Sequence, residues 1–499
     1  MFVRKYLLCA ALLPLALSGG AHALEFTSYL GGDSDDNVRA VEPLPDGSSI
    51  LVGKTLSDDF PTTPGVISES CNLNETCPDS FGFGDATVTR MSWDGSSTLF
   101  STFLGGSAGD MAFDVAINSA GNIVVVGSTF SDDFPVTPNA FDGVYRGFQR
   151  QTGFIAIINP TGTDVLYATY FGGSSQDEIF SVALDAQDNI YIAGFTESND
   201  FPTTPGAFET KFNNVDSAFN AFAAKFSADG TQLIYSTYLG GDDFDSAFAI
   251  EVDGSGRAWV GGQTQSDNFP VLQNAPDTTF EGLDEGFLVR LNAAGSDLEA
   301  STYLGGSSID GIRDLGLRPD GTVAVIGSTN SSDFPVTPDA FDDSKSFNGD
   351  TGFAVFNADA TKIEYATFVS NSSSARFNGF ALDPAPDGTV YLLMSLSATG
   401  SFGDREPIYI QLDPDVAGED GLGLDCRDCH NFSQGIPNDI EFAGNRLIMV
   451  GETDDESFDV TDGAFDTEYN ALFDGFVISV SSPDIFSDNF EGNPLPGGK

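Results

Sequence analysis

The chain has 499 residues, with 20 Lys and Arg against 74 Asp and Glu, a formal net charge of −54. A surface of that sign repels nucleic acid and anionic membranes, attracts cations and stays soluble at high ionic strength. Only two His are present, which removes most His-dependent chemistry, whether triads, His-pair metal sites or imidazole acid–base pairs.

Residues 1–23 read as an export signal. Arg4 and Lys5 precede an apolar stretch, Tyr6 to Leu17, too short to span a bilayer, and Ala21-His22-Ala23 is a small-x-small cleavage site. Maturation is expected to leave Leu24 first, with His430 as the remaining His and Cys71, Cys77, Cys426 and Cys429 as the remaining Cys. No Cys at the cleavage point offers a lipid anchor, and no later run is apolar enough to span a membrane. The expected locations are therefore the periplasm, the cell surface or the medium.

Beyond Leu24 one pattern repeats. Gly-Gly pairs recur at Gly31, Gly105, Gly172, Gly240 and Gly305, spaced by 74, 67, 68 and 65 residues. A long fixed period of short strands predicts an array in which no unit buries its own core. Residues 172–240 show one unit. Ile179 to Leu184 is a predicted strand, and Ala186 to Asn189 a tight turn. Ile190 to Phe195 is a second strand. A long loop then carries Asp200-Phe201-Pro202-Thr203-Thr204-Pro205. Ala221 to Phe226 is a third strand, Ala228-Asp229-Gly230 a hairpin turn, and Leu233 to Leu239 a fourth. Four antiparallel strands per unit is the makeup of a propeller blade. The second-strand Gly recurs at Gly53, Gly127, Gly194, Gly262, Gly327 and Gly451, and a degenerate unit near Tyr391–Ser395 fills the double gap. The expectation is all-β: a seven-bladed propeller over 24–481, followed by a flexible tail over 482–499. Phe26 to Gly32 reads as a fourth strand without the preceding three, and the unit ending at Phe476–Val480 lacks its fourth. The N-terminal strand should complete the last blade and remove the open edges.

The run Thr-Tyr-Leu-Gly-Gly, the Val-x-Gly-x-Thr second strand, the Asp-Phe-Pro-x-Thr-Pro loop and the Tyr-Ser-Thr tail resemble the bacterial beta-propeller repeat family of exported proteins (SBBP repeats). The pattern covers nearly all of residues 26–480. It weakens in blade six, where Val369-Ser370-Asn371 replaces Leu-Gly-Gly, and in blade seven, where Ser457 to Asp462 replaces the Phe-Pro loop. The resemblance implies an extracytoplasmic propeller and no defined reaction.

Strand alternation places the long loops on one face and the tight turns on the other, and function on a rigid scaffold tends to lie with the loops. Asp36, Asp110, Asp177, Asp245 and Asp310 each follow the second Gly by four residues; Asp59, Asp133, Asp200 and Asp333, with Asn268, precede the loop Phe. A ring of carboxylates is a candidate Ca²⁺ site. A residue repeated in every blade more often serves the blade than a ligand, and each Asp can accept turn N–H groups and pin its own loop. No Asp-x-Asp-x-Asp-Gly loop is present. The close Cys pairs read as two local disulfides, Cys71–Cys77 and Cys426–Cys429. Cys426-Arg427-Asp428-Cys429-His430 also fits the c-type haem attachment pattern. It falls in a strand-and-turn region, and no second His is left for the other axial position. Gly105 to Gly109 matches Gly-x-Ser-x-Gly without a helix or a His partner. Phe60, Phe134, Phe201, Phe269 and Phe334 should pack between blades. Trp93 and Trp259 are too few for Trp stacking platforms.

The expected function is a non-catalytic binding or structural module of the envelope or extracellular space, with an unidentified extracellular macromolecule or glycan as partner. Neither nucleic acid nor a membrane span is expected. Recognition should map to what breaks the repeat, namely the Cys71–Cys77 insertion and blade six. The rival is a carboxylate-dependent polysaccharide hydrolase or lyase. A single asymmetric pocket holding a carboxylate of raised pKa would favour that rival.

Overall fold

The computed structural model describes residues 23–481, apart from 72–76, 78–83, 214–217, 346–349, 370–375, 398–404, 413–421, 424–434, 445, 457, 459 and 471–472. These residues form seven four-stranded antiparallel sheets, six of them built from consecutive strands. The unit at 172–240 has strands Asp177–Leu184, Ile190–Thr196, Asn220–Phe226 and Leu233–Leu239. The first starts two residues earlier than its apolar pattern suggests, because the polar Asp177 and Glu178 already pair with Thr196 and Phe195. Blade six follows the same order from Arg376–Pro384 to the two-residue strand Leu422–Gly423. Among the described residues no helix is long and apolar enough to cross a membrane.

The seventh sheet closes the ring. Its strands Ile436–Ala443, Arg446–Thr453 and Asp474–Ser481 are completed by Ala23–Leu30, which pairs antiparallel with the last of them. Phe26, Tyr29 and Leu30 are buried there. The Tyr29 hydroxyl donates to Asp455 O at 3.0 Å. Arg446 fastens the seam: it donates to Gly47 O (3.0 Å) and Trp93 O (2.5 Å) of blade one and pairs with Glu25 on the N-terminal strand.

Second and third strands are covered on both faces by neighbouring blades, so they read as unbroken apolar runs such as Ile123-Val124-Val125-Val126, all buried. The loop phenylalanines fill these interfaces. Phe201 lies 4.6 Å from Phe222 of its own blade and 4.9 Å from Phe171 of the blade before. Trp259 is buried, while Trp93 stands 60% exposed.

Every innermost strand carries a bulge. The register slips between Val38 and Ala40, Ala112 and Asp114, Ile179 and Ser181, and at the equivalent places in blades four to seven. The bulge explains the recurring second-strand Gly. A Cβ at Gly127 would lie 1.9 Å from Met111 O, and one at Gly194 1.9 Å from Glu178 O. Backbone sits where any other residue would place its side chain.

Candidate functional site

The repeated aspartates sit in five separate corners. The second Gly N–H of each pair donates to the Asp at 2.7–2.9 Å. A Ser hydroxyl from the end of the second strand donates to the same oxygen at 2.5–3.1 Å. In blades three and four Thr196 and Thr264 serve the other oxygen. Asp36, Asp110, Asp177, Asp245 and Asp310 are buried, and burial pushes Asp36, Asp177 and Asp245 up to about 7. The second series ties the two long loops together. Asp59, Asp133, Asp200, Asp333 and Asn268 accept the N–H of Asp33, Ser107, Ser174, Ser307 and Asp242 at 2.7–3.1 Å. These bonds place both sets of long loops on one face. Ser107, of the Gly-x-Ser-x-Gly match, donates to Asp133 and leads into a strand.

The site that the repeat does not dictate is the central channel, a cavity of about 480 Å³ walled by the innermost strands. Its girdle is made by the bulge residues, one per blade: Arg39, Phe113, Phe180, Phe248, Arg313, Phe380 and Asn438. Phe113 and Phe180 meet edge to face at 5.1 Å, Phe180 lies 5.7 Å from Phe248, and the Arg313 guanidinium sits 4.5 Å over the Phe248 ring. From Phe180 an aromatic run passes through Phe195 and Phe219 to Phe244, at steps of 5.6, 4.7 and 4.8 Å. Phe244 is exposed at the entry to blade four, so this run links the loop face to the channel.

One residue past the bulge, acids clip blade to blade. Asp114 accepts Val182 N–H at 2.7 Å, Asp314 accepts Leu382 N–H at 2.7 Å, and Asp439 accepts Val41 N–H at 2.9 Å. Two residues further toward the turn face stand Glu42, Glu251, Asp383 and Glu441, where other blades have Ala116, Ala183 and Gly316. Burial, then mutual repulsion, raises this group: Glu42 to about 8, Glu251 and Asp383 to about 7, and Glu441 well above the usual carboxylate range. All four line the channel wall and are partly buried there.

Sequence reasoning singled out the repeated acids and missed these. The signal was present, since Asp114 and Asp314 stand four residues after Asp110 and Asp310. Simple alternation misassigns their facing, because the bulge shifts the phase of every innermost strand. Cys71 and Cys77 are joined in the blade-one loop with Cα atoms 5.4 Å apart, and Asp58 accepts the Cys77 N–H. Cys426, Cys429 and His430 lie outside the described residues.

Residues 166–202 match the SBBP beta-propeller repeat model, over the fourth strand of blade two and the first two strands of blade three. The chain carries the SBBP beta-propeller repeat. No curated protein matches it in sequence. Among solved structures, BamB from Moraxella catarrhalis is 9% identical, with 92% of this chain and 100% of that one aligned and a TM-score of 0.37. Sqt1 from Chaetomium thermophilum is 12% identical over 93% and 99%, with a TM-score of 0.41. A PL25 ulvan lyase bound to -[GlcA(1-4)Rha3S]- is 10% identical over 71% and 81%, with a TM-score of 0.37.

Proposed function

We propose that the protein is an exported, non-catalytic propeller that binds an extracellular macromolecule or glycan at its loop face and channel mouth. The observation that carries the reading is a division of labour. Positions repeated in every strong blade are spent on the fold, whereas the girdle and the turn-face acids differ from blade to blade. A rigid ring with one non-repeating opening is suited to selective recognition. The exposed Phe244, the aromatic run behind it and Arg313 offer apolar contact, stacking and a cation in one line. The Cys71–Cys77 pair supports an oxidising compartment. Binding to an array of surface polysaccharides, with Phe244→Ala and Arg313→Ala weakening it at least tenfold and no product released, is the expected outcome. Undiminished binding by both variants would remove the assigned site.

One observation favours the rival reading of a polysaccharide hydrolase or lyase: Glu42, raised to about 8 in an asymmetric cavity, suits a proton donor at neutral pH. Newly formed reducing or unsaturated ends, lost in Glu42→Gln, would establish it.

A further inference from the structure

One loop of the loop face breaks the acidic pattern of the chain. From Gly143 to Thr163 there is no acid, the longest such run after Leu24. The equivalent loops of blades four, five and seven keep acids at Glu281, Asp343 and Glu468, whereas blade two carries Arg146 and Arg150. Between these arginines the chain makes a tight turn, in which Arg150 N–H donates to Gly147 O at 2.8 Å. Both central residues are left-handed, Phe148 at φ 42° and Gln149 at φ 72°. Asn-Gly or Asp-Gly ordinarily fills such a turn, and a bulky side chain is sterically disfavoured there. Gly147 is required, since a Cβ on it would lie 2.3 Å from Arg150 O. The turn presents Phe148, 86% exposed, the most exposed large hydrophobic side chain among the described residues. Its shoulders are fixed. Arg146 Nε donates to Asp142 at 2.9 Å, Arg150 donates to Glu197 of blade three at 2.6 Å, and the Tyr145 hydroxyl donates to Arg150 O. Each guanidinium is still half exposed, at 50% and 55%. A disfavoured backbone that holds an aromatic ring out in water contributes nothing to the core. Strain of this kind is retained where it presents a side chain to a ligand.

We propose that this tip binds an acidic polysaccharide, with the Phe148 ring against a sugar face and Arg146 and Arg150 holding the carboxylates of neighbouring uronate units. The inference rests on the glycan reading above and adds the sign of the ligand's charge and a contact on blade two. Guanidinium groups suit carboxylates, and each of these keeps N–H donors outside its own ion pair: Nη1 of Arg146, and Nε and Nη2 of Arg150. The turn is already held in shape, so little conformational freedom is lost on binding. Asp142 and Glu197 position the arginines and leave the tip near neutral on a face whose other loops carry Glu281, Asp343 and Glu468. A polyanion therefore meets least repulsion here. At about 0.15 M salt the screening length is about 8 Å, which confines the repulsion of those loops to their own surroundings.

Polygalacturonate and its fully methyl-esterified form share a backbone and differ in charge, so the affinity for each, measured in the same salt, separates charge from stacking. Polygalacturonate should bind at least tenfold more tightly than the ester, and Arg146→Gln with Arg150→Gln should remove that preference. Equal affinity for the two forms would overturn the acidic assignment and leave the glycan reading standing. Binding of neither form would also overturn it, and the glycan reading falls with it only if the wider array of polysaccharides is unbound too. Phe148→Asn with Gln149→Gly relieves the turn, so it should weaken polygalacturonate binding at least tenfold with the melting temperature unchanged or higher. A lower melting temperature with binding intact would make Phe148 a structural residue and refute the proposal. Light scattering tests the remaining occupant: a concentration-dependent dimer that Phe148→Ala abolishes would assign the tip to a second copy of the chain and overturn the glycan contact.

Discussion

Removing Leu24–Leu30 tests the closure most directly. The segment buries Phe26, Tyr29 and Leu30 to within 4% of full burial. At about 1.5–3 kcal/mol for each large apolar side chain taken from water, the three contribute about 5–9 kcal/mol. Deletion also strips the Tyr29 hydroxyl bond to Asp455 O, the ion pair from Glu25 to Arg446 and the ladder along Asp474–Ser481. That last loss exposes a bare apolar edge from Phe476 to Val480. A domain's whole stability is about 5–15 kcal/mol, so the truncated chain should unfold near ambient temperature or associate through its open edge. Denaturant melts and light scattering, with deletion of residues 493–499 as the size-matched control, measure both outcomes. A truncated monomer with the same midpoint as the untruncated chain would refute the reasoning, because the ring would then close without its last strand.

The carboxylates predict an unusual pH profile. Asp36, Asp177, Asp245, Glu251 and Asp383 lie near 7 in the fold and Glu42 near 8, against about 4 when unfolded. The folded state therefore keeps protons that the unfolded chain releases between about pH 4 and 8, so stability is highest near the acid end and falls as pH rises through that window. Below about pH 4 the sign reverses for Asp185: burial raises it, but bonds from Asn189 and Lys225 outweigh that and hold it at about 2. Chemical melts at pH 5 and 8 should differ in this direction, and a rising profile would contradict the assignment. Asp114→Ala leaves the Val182 and Val115 N–H groups without an acceptor and should cost about 2–4 kcal/mol. Asp114→Asn keeps an acceptor and should melt close to the parent chain at pH 8. The Cys71–Cys77 loop is short, so Cys71→Ser with Cys77→Ser should cost about 2 kcal/mol. Mass spectrometry of exported protein should find Cys426 and Cys429 paired with each other and carrying no haem mass.

Architecture was legible because the repeat reports it several times over. The Gly-Gly spacing, the turn at Asp229-Gly230 and the two complementary pieces of one blade at the two ends, a lone strand and a set of three, lead together to a closed ring of seven. The five aspartates were legible as candidates, but not their surroundings. Their bonds run to backbone N–H groups and to Ser hydroxyls twenty-one residues away, which pattern reading does not reach. The channel was hidden by the bulge. Phe113 reads as one more apolar residue of a strand and Asp114 as an exposed polar one, yet Phe113 lines the girdle and Asp114 clips two blades together. A one-residue insertion exchanges the faces of everything after it.

That bulge also divides stability from recognition. Before it, the innermost strand of each of blades one to five spends its Asp on the corner beneath Gly-Gly, and the partners are the same in all five. The bulge residue itself leaves the ladder, so its side chain no longer answers to the packing between blades. Aromatic, cationic and amide side chains are all accommodated there, as Phe180, Arg313 and Asn438 show. The position two residues beyond the clip accepts Glu42, Ala116 or Gly316 without altering the strand pairing around it. A substitution in the corner should therefore act on folding first and on binding only as a consequence. A substitution in the girdle should do the reverse. If Phe180→Ala lowered the melting temperature as much as Asp177→Ala while leaving every ligand bound, the girdle would be part of the core and the proposed channel site would lose its basis.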